Sequence, residues 1–273
     1  MKDARKTAVL FMFIGIFAAM TSVMTSVFAM RRHRRHPAPT TSLLSADSVA
    51  ALDEAATSEG LERMRRSSLP APPAPNFAAL SRFIADQSEG TYIDDVLRDR
   101  NGHVARWIER PENPVQVWIQ PASSVSDWMP QYPQQIRDAF RAWDAAGLPV
   151  RFTFTDDSVG AEVKLRWVDH FKDAAAGRTY WSRDQHGWIF GADIEVALHA
   201  TSGAPYDARA VRTIALHEIG HLLGLDHTRD ETSVMFPRVR VTRLAPADLA
   251  TAVLLYQLPP GAVTTDTLKK PSP

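Results

Sequence analysis

The stretch His217-Glu218-Ile219-Gly220-His221-Leu222-Leu223-Gly224-Leu225-Asp226-His227 decides how this chain is read. His217 and His221 stand four residues apart, so on a helix both imidazoles leave one face about one turn apart and can share one ion. Imidazole nitrogen suits zinc, whose catalytic sites take three protein ligands and keep a fourth position for water. His227 can be the third ligand only if the chain leaves the helix first, because a straight helix would carry it to the opposite side. Gly224 sits where a helix end needs a residue able to adopt positive φ, and it lets the backbone return His227 toward the ion. Glu218 adjoins the first ligand without being needed to fill the shell. Its expected task is to take a proton from water acidified by the metal and later deliver it to a leaving amine.

A lone His-Glu-x-x-His is weak evidence. With Gly224 and His227 added, the pattern is expected by chance in far fewer than about one chain in a thousand, which weighs against three unrelated core or surface histidines. The frame agrees: from Asp207 to about Leu223 the apolar residues Val211, Ile214, Ala215, Ile219 and Leu222 form one helical stripe. Asp207, Arg209 and Arg212 on the same helix exclude a protease whose motif lies inside a membrane span.

Outward from the motif, period-two runs mark strands: Val115, Val117 and Ile119; Phe152 and Phe154; Val163, Leu165 and Trp167; and Ile194, Val196 and Leu198. Between the first two, Ile136, Ala139, Phe140 and Trp143 recur at helical spacing until Gly147 and Pro149 stop them. Thr179–Trp181 and Trp188–Phe190 flank a turn at 184–187, and residues 170–191 read as a loop with a short hairpin. A last helix starts near Pro246 and carries Leu249, Val253, Leu254 and Tyr256 to the core before Pro259 and Pro260 end it. Strand, helix, strand, strand predicts a sheet with helices packed on it.

Lys+Arg and Asp+Glu both total 31, so no global field draws nucleic acid, and none is expected as a partner. The absence of cysteine removes disulfide, thiolate-metal and cysteine-nucleophile chemistry. Lys2, Arg5 and Lys6 precede the apolar run Ala8 to Met20, and the small residues Val27 and Ala29 fit a cleavage site, so residues 1–29 read as a signal peptide. A rival reading takes 8–30 as one uncleaved membrane anchor; Arg31, Arg32, Arg34 and Arg35 behind it fit a cleavage site poorly. For an uncleaved helix the same arginines favour keeping the downstream side in the cytoplasm, but the expectation is that the rest of the chain is exported, secreted or anchored. Residues 30–76, rich in Pro, Ala, Ser and Arg, read as a disordered linker. A domain is expected over 77–260 with its core at 104–258, and 261–273 as a frayed tail.

His217-Glu-x-x-His-x-x-Gly-x-x-His227 resembles the metzincin zinc signature, and Ser233-Val-Met-Phe-Pro237 resembles the Met-turn that follows it in that clan. The run Leu216 to Thr228 with Met235-Phe-Pro237 is most similar to the matrixins, the matrix metalloproteinase family, bacterial members included. The resemblance spans roughly 104–258 and is specific from 213 to 237. It implies an α+β fold: a twisted, mostly parallel sheet packed with an active-site helix and a C-terminal helix, the cleft lying between an upper and a smaller lower subdomain. It implies one catalytic zinc and hydrolysis of protein or peptide substrates. Met235 would floor the metal, and Pro237 onward would wall the pocket for the side chain after the scissile bond. The chain departs from the family pattern in two places. No cysteine is present to hold a propeptide latent. The second, structural zinc of animal members needs a His-x-Asp motif and two further histidines; here His170, Asp173, His186 and His199 have a different spacing and Glu195 stands where the last ligand would fall, so a second metal is not expected. A zinc-stabilised binding module without turnover is the competing class, and Glu218 argues for the enzyme.

Overall fold

The computed structural model describes residues 59–66 and 68–264. Helices α1 (Phe77–Gln87) and α2 (Ile93–Asp99) lead to two short strands, β1 (His103–Val104) and β2 (Arg106–Trp107), and then to β3 (Arg110–Ile119). Helix α3 (Tyr132–Asp144) connects β3 to β4 (Val150–Phe154), and β5 (Val163–Val168) follows. The strands β6 (Gly177–Arg183) and β7 (Trp188–Ala197) form a hairpin, and α4 (Ala208–Leu222), α5 (Pro246–Gln257) and β8 (Gly261–Ala262) complete the order.

One sheet runs β2-β7-β5-β3-β4, all parallel, with β6 antiparallel to β7. Since β5 and β6 pair with overlapping residues of β7, they lie on its opposite edges. The outer edge of β6 therefore has no strand partner among the described residues. This is the mostly parallel α+β arrangement that the matrixin resemblance implies, and it places strands where the alternating runs predict them.

The core forms between this sheet and the pair α3–α4. Ile136, Ala139, Phe140 and Trp143 of α3 and Val211, Ala215, Ile219 and Leu222 of α4 are buried, each large side chain worth roughly 1.5–3 kcal/mol in transfer from water. Two indoles fix α4 along its length: Trp143 Nε1 donates to Leu216 O at 2.9 Å and Trp107 Nε1 to Leu222 O at 3.0 Å. Asp207 caps the helix, its side chain accepting from Ala210 N at 2.7 Å. Helix α5 begins at Pro246 as its sequence predicts, and Asp248 reaches back to accept from Ala245 N at 2.7 Å.

Three boundaries differ from the sequence reading. Within the expected linker, residues 59–66 are helical and 68–76 lie along the domain: Arg66 sits over the Phe190 ring, and Trp188 Nε1 donates to Pro70 O at 2.8 Å. Poor in apolar residues, this stretch builds no core of its own and is ordered by docking on aromatics of β7. The core also begins before residue 104, because α2 buries Ile93, Val96 and Leu97. The tail starts later than 261, since β8 pairs with β1 and Val263 is buried. Strand β7 is continuous from 188 to 197, where two separate pieces were expected. The signal-peptide and anchor readings fall outside the described residues; among those described, no helix is long and apolar enough to cross a membrane.

Candidate active site

Helix α4 presents His217 and His221 from its last turns, and the chain then reverses at Gly224, whose φ of +105° is open to glycine. A side chain there is excluded twice over, because a Cβ would stand 2.2 Å from Ala105 O. The reversal brings His227 back onto the pair. His221 Nε2 and His227 Nε2 lie 3.1 and 3.3 Å from His217 Nε2, and the three ligand atoms all fall within 4.8 Å of one another. Two ligands of a tetrahedral zinc, each about 2.0–2.1 Å from the ion, stand about 3.3 Å apart.

Proton positions reinforce the geometry. His217 Nδ1 faces Val234 O at 2.7 Å and His221 Nδ1 faces Leu225 O at 3.1 Å. Carbonyls only accept, so both Nδ1 atoms carry the proton and the converging Nε2 atoms of the neutral rings present lone pairs to each other. Burial lowers the His217 pKa to about 4; burial and the neighbouring imidazoles lower that of His221. Two ring nitrogens held free of protons, with His227 Nε2 converging on them, fit a divalent cation of the kind that imidazole suits.

Glu218 is 3% exposed and lines the same cleft, a cavity of about 1270 Å³. Thr179 of β6 donates its hydroxyl to Glu218 Oε2 at 2.7 Å, and Gly177 lies so close that a Cβ would stand 2.5 Å from Oε1. Burial raises the Glu218 pKa to about 7, against the lowering effect of the Thr179 hydrogen bond. A carboxyl poised there exchanges protons readily near neutrality. The cleft is walled on one side by β6 and on the other by 237–242, with Ile214, Val239 and Val241 among its apolar lining.

Beneath the histidines, Met235 lies against α4, its sulfur occupying the space a Cβ on Gly220 would need. Met235 O accepts from Thr228 N at 3.1 Å, tying this turn to the residue after His227. Asp248 of α5 fastens the turn from below: it accepts from the Ser233 hydroxyl and from Val234 N at 3.2 Å. Pro237 is exposed at the head of the opposite wall. The family model of the matrixins matches residues 121–257, half of the chain and all of this site. The chain belongs to the matrixin family. It is 29% identical over 133 residues to Metalloendoproteinase 1-MMP of Arabidopsis thaliana, covering 44% of this chain and 36% of that protein. It is 33% identical over 88 residues to Metalloendoproteinase 1 of Glycine max, covering 31% and 27%. A probable matrix metalloproteinase 095L of Invertebrate iridescent virus 3 matches at 33% over 88 residues, 29% of this chain and 23% of that one. The chain thus spans about a third or less of the curated relatives it matches.

Within this matrixin fold the residues compared with a second zinc site are dispersed. His186 sits at the β6–β7 turn, and Asp173 is held by Arg178 at 2.6 Å. His199, its side chain 7% exposed, is bracketed by Asp169 Oδ1 at 2.7 Å from Nδ1 and Asp127 Oδ2 at 3.0 Å from Nε2. Asp127 and Asp169 hold its pKa above the ordinary histidine value. His170 turns to Asp169 at 2.8 Å, and Glu195 lies on β7 beside Arg166 and Arg178 in register. Among the described residues, the motif triad is the group of three or more such side chains that converges on one point. Sequence reading missed Thr179 and Trp181, whose indole donates to His221 O at 3.0 Å. Both come from β6, and nothing in their spacing to the motif announces them.

Proposed function

We propose that this matrixin is a zinc-dependent endopeptidase in which His217, His221 and His227 hold the metal and Glu218 is the general base. The convergence of three imidazole Nε2 atoms beside a buried carboxyl is the observation that carries the reading. Zinc bound there supplies Lewis acidity, polarising the scissile carbonyl and acidifying a water. The protein supplies the rest. Glu218 takes the proton of the attacking water and hands it to the leaving amine, its carboxylate aimed by the Thr179 hydroxyl. The outer edge of β6, without a strand partner among the described residues, offers backbone donors and acceptors to an extended peptide laid along the cleft. Gly224 lets His227 reach the metal, Met235 floors it, and Pro237 opens the wall of the pocket for the side chain after the scissile bond. Residues 1–29 direct the catalytic domain out of the cytoplasm, as a cleaved signal or as an anchor.

The test is Glu218→Ala in the full chain, assayed on a generic unfolded protein with zinc content measured in parallel. Turnover should fall by about a hundred- to ten-thousand-fold or more while zinc stays near one per chain, since no coordination bond is removed. Loss of zinc would make Glu218 a ligand, and unchanged turnover would refute the hydrolytic mechanism. A wild-type protein that binds zinc yet cleaves nothing would leave a zinc-stabilised binding module as the reading.

A further inference from the structure

We infer that Arg100, in the segment ahead of the family-matched core, is a positioning residue that sets where the third metal ligand stands; the inference rests on the metal reading above. Arg100 follows α2, yet its guanidinium reaches the loop 225–227. Its Nε donates to Asp226 Oδ2 at 2.9 Å and its Nη2 to Leu225 O at 2.7 Å. The same plane lies over the Trp181 ring at 4.3 Å, and Trp181 hangs on His221 O.

Each of these contacts touches a group that orients a ligand. Leu225 O is also the acceptor of His221 Nδ1, so Arg100 holds the carbonyl that fixes the tautomer and rotation of that ring. The other oxygen of Asp226 accepts from His227 N at 2.8 Å, so Arg100 holds the carboxylate that caps the third ligand's own amide. The loop needs such help. Leu225 N returns to Gly220 O and Thr228 N to Met235 O, whereas the amide of His227 between them is satisfied by a side chain. On the far side of His227, Asp95 of α2 completes the bracket, accepting from Thr228 Oγ1 at 3.0 Å and Arg229 N at 3.3 Å.

Stability alone does not account for the residue. The Arg100 side chain is 12% exposed, and its Nη1 is buried without a hydrogen-bond partner among the described groups. Burying a charge with one donor unsatisfied is costly, and an apolar side chain of similar volume generally fills such a space at no loss. What an apolar residue cannot do is grip a carbonyl and a carboxylate at once from one rigid plane. The bracket lies before residue 121, outside the span matched by the family model.

Two variants of the full chain separate positioning from packing. Arg100→Lys keeps the charge beside Asp226 but loses the fork. The double variant Arg100→Met with Asp226→Asn removes the pair without stranding a carboxylate. Zinc affinity is read by chelator competition, and ligand geometry by the visible absorption of the cobalt-substituted protein. In both variants zinc affinity should fall by about 10–100-fold, the range for residues that orient metal ligands, and the cobalt bands should shift. The unfolding midpoint of the metal-free double variant should stay at that of the wild type. Zinc affinity within about twofold of wild type and an unchanged cobalt spectrum in folded Arg100→Lys would overturn the inference, whatever the double variant does. If the wild type itself takes up no zinc, the metal reading fails and this one with it. A loaded wild type beside equally loaded variants sinks the Arg100 inference alone.

Discussion

His217 and His199 are both buried histidines on this domain, and their surroundings shift their pKa values in opposite directions. His217 gives its Nδ1 proton to a carbonyl and meets only other imidazoles at Nε2; burial lowers its pKa to about 4. His199 meets a carboxylate at each nitrogen, Asp127 and Asp169, and its pKa is raised. Deep burial dominates at His217 and the two carboxylates dominate at His199, so depth and the partner at each ring nitrogen decide together. Neutral acceptor-bearing rings suit a cation from outside; a ring between two carboxylates is biased toward being the cation itself. The contrast separates a metal site from an ionic clamp without reference to motif spacing.

The largest effect expected from this contrast is on metal content. His221→Ala removes one of three converging ligands and should abolish stoichiometric zinc, whereas His199→Ala should leave zinc at one per chain. Metal analysis of the two purified variants breaks the comparison if His221→Ala retains its zinc, or if His199→Ala loses it.

Glu218 gives an effect of intermediate size, in the metal-free protein. Its folded pKa is raised, so the native carboxyl keeps a proton that the unfolded chain releases. Its stabilisation is present below the ordinary 4.5 and is lost as pH rises through about 7. A displacement from 4.5 to about 7 corresponds to about 3 kcal/mol, at ~1.4 kcal/mol per pH unit. Glu218→Gln can still accept from Thr179 and carries no charge to bury. Metal-free Glu218→Gln should therefore match wild type near pH 4.5 and exceed its stability at pH 8 by up to about 3 kcal/mol in urea unfolding. Equal stability of the two at pH 8 would show that the carboxylate is solvated in the cleft.

What could be read from sequence follows the range of the contacts. The alternation of Val115, Val117 and Ile119 and the stripe of α4 are local, and both elements form where their periodicity places them. The motif is local as well: the three histidines, the turning glycine and the carboxylate fall between 217 and 227. Strand β7 was split in reading because its first half is buried on both faces, so Trp188, Ile189 and Phe190 show no alternation. The cover on the outer face comes from Arg66 and Pro70, more than a hundred residues earlier. Thr179, Trp181 and Arg100 were equally silent, since each reaches the site from a distant element by one side chain. The dispersal of His170, Asp173 and His199 shows the converse: proximity in sequence to a family's ligand positions does not gather side chains whose partners, Asp169, Asp127 and Arg178, already hold them elsewhere.

The smallest effect sharpens the comparison from the other side. His199 joins three loops: Asp127 precedes α3, Asp169 follows β5, and His199 itself follows β7. Its folded pKa is raised, so the stability it contributes is fully present below the ordinary 6.5 and is lost as pH rises through the raised value. The lowered values of His217 and His221 act below 6.5, and Glu218 acts up to about 7. Comparing wild type with His199→Gln cancels those three, because they are the same in both proteins. Glutamine can occupy the space and donate to one carboxylate, but it cannot become a cation. The melting-temperature gap between the two should thus be widest below pH 6.5 and narrow steadily on the alkaline side, by a few degrees at most, since Asp127 and Asp169 remain more than half exposed and solvent screens the pair. A gap that stays constant from pH 6 to pH 9 would mean that His199 is neutral throughout, held by hydrogen bonds alone. The two buried histidines would then differ in their acceptors but not in their charge.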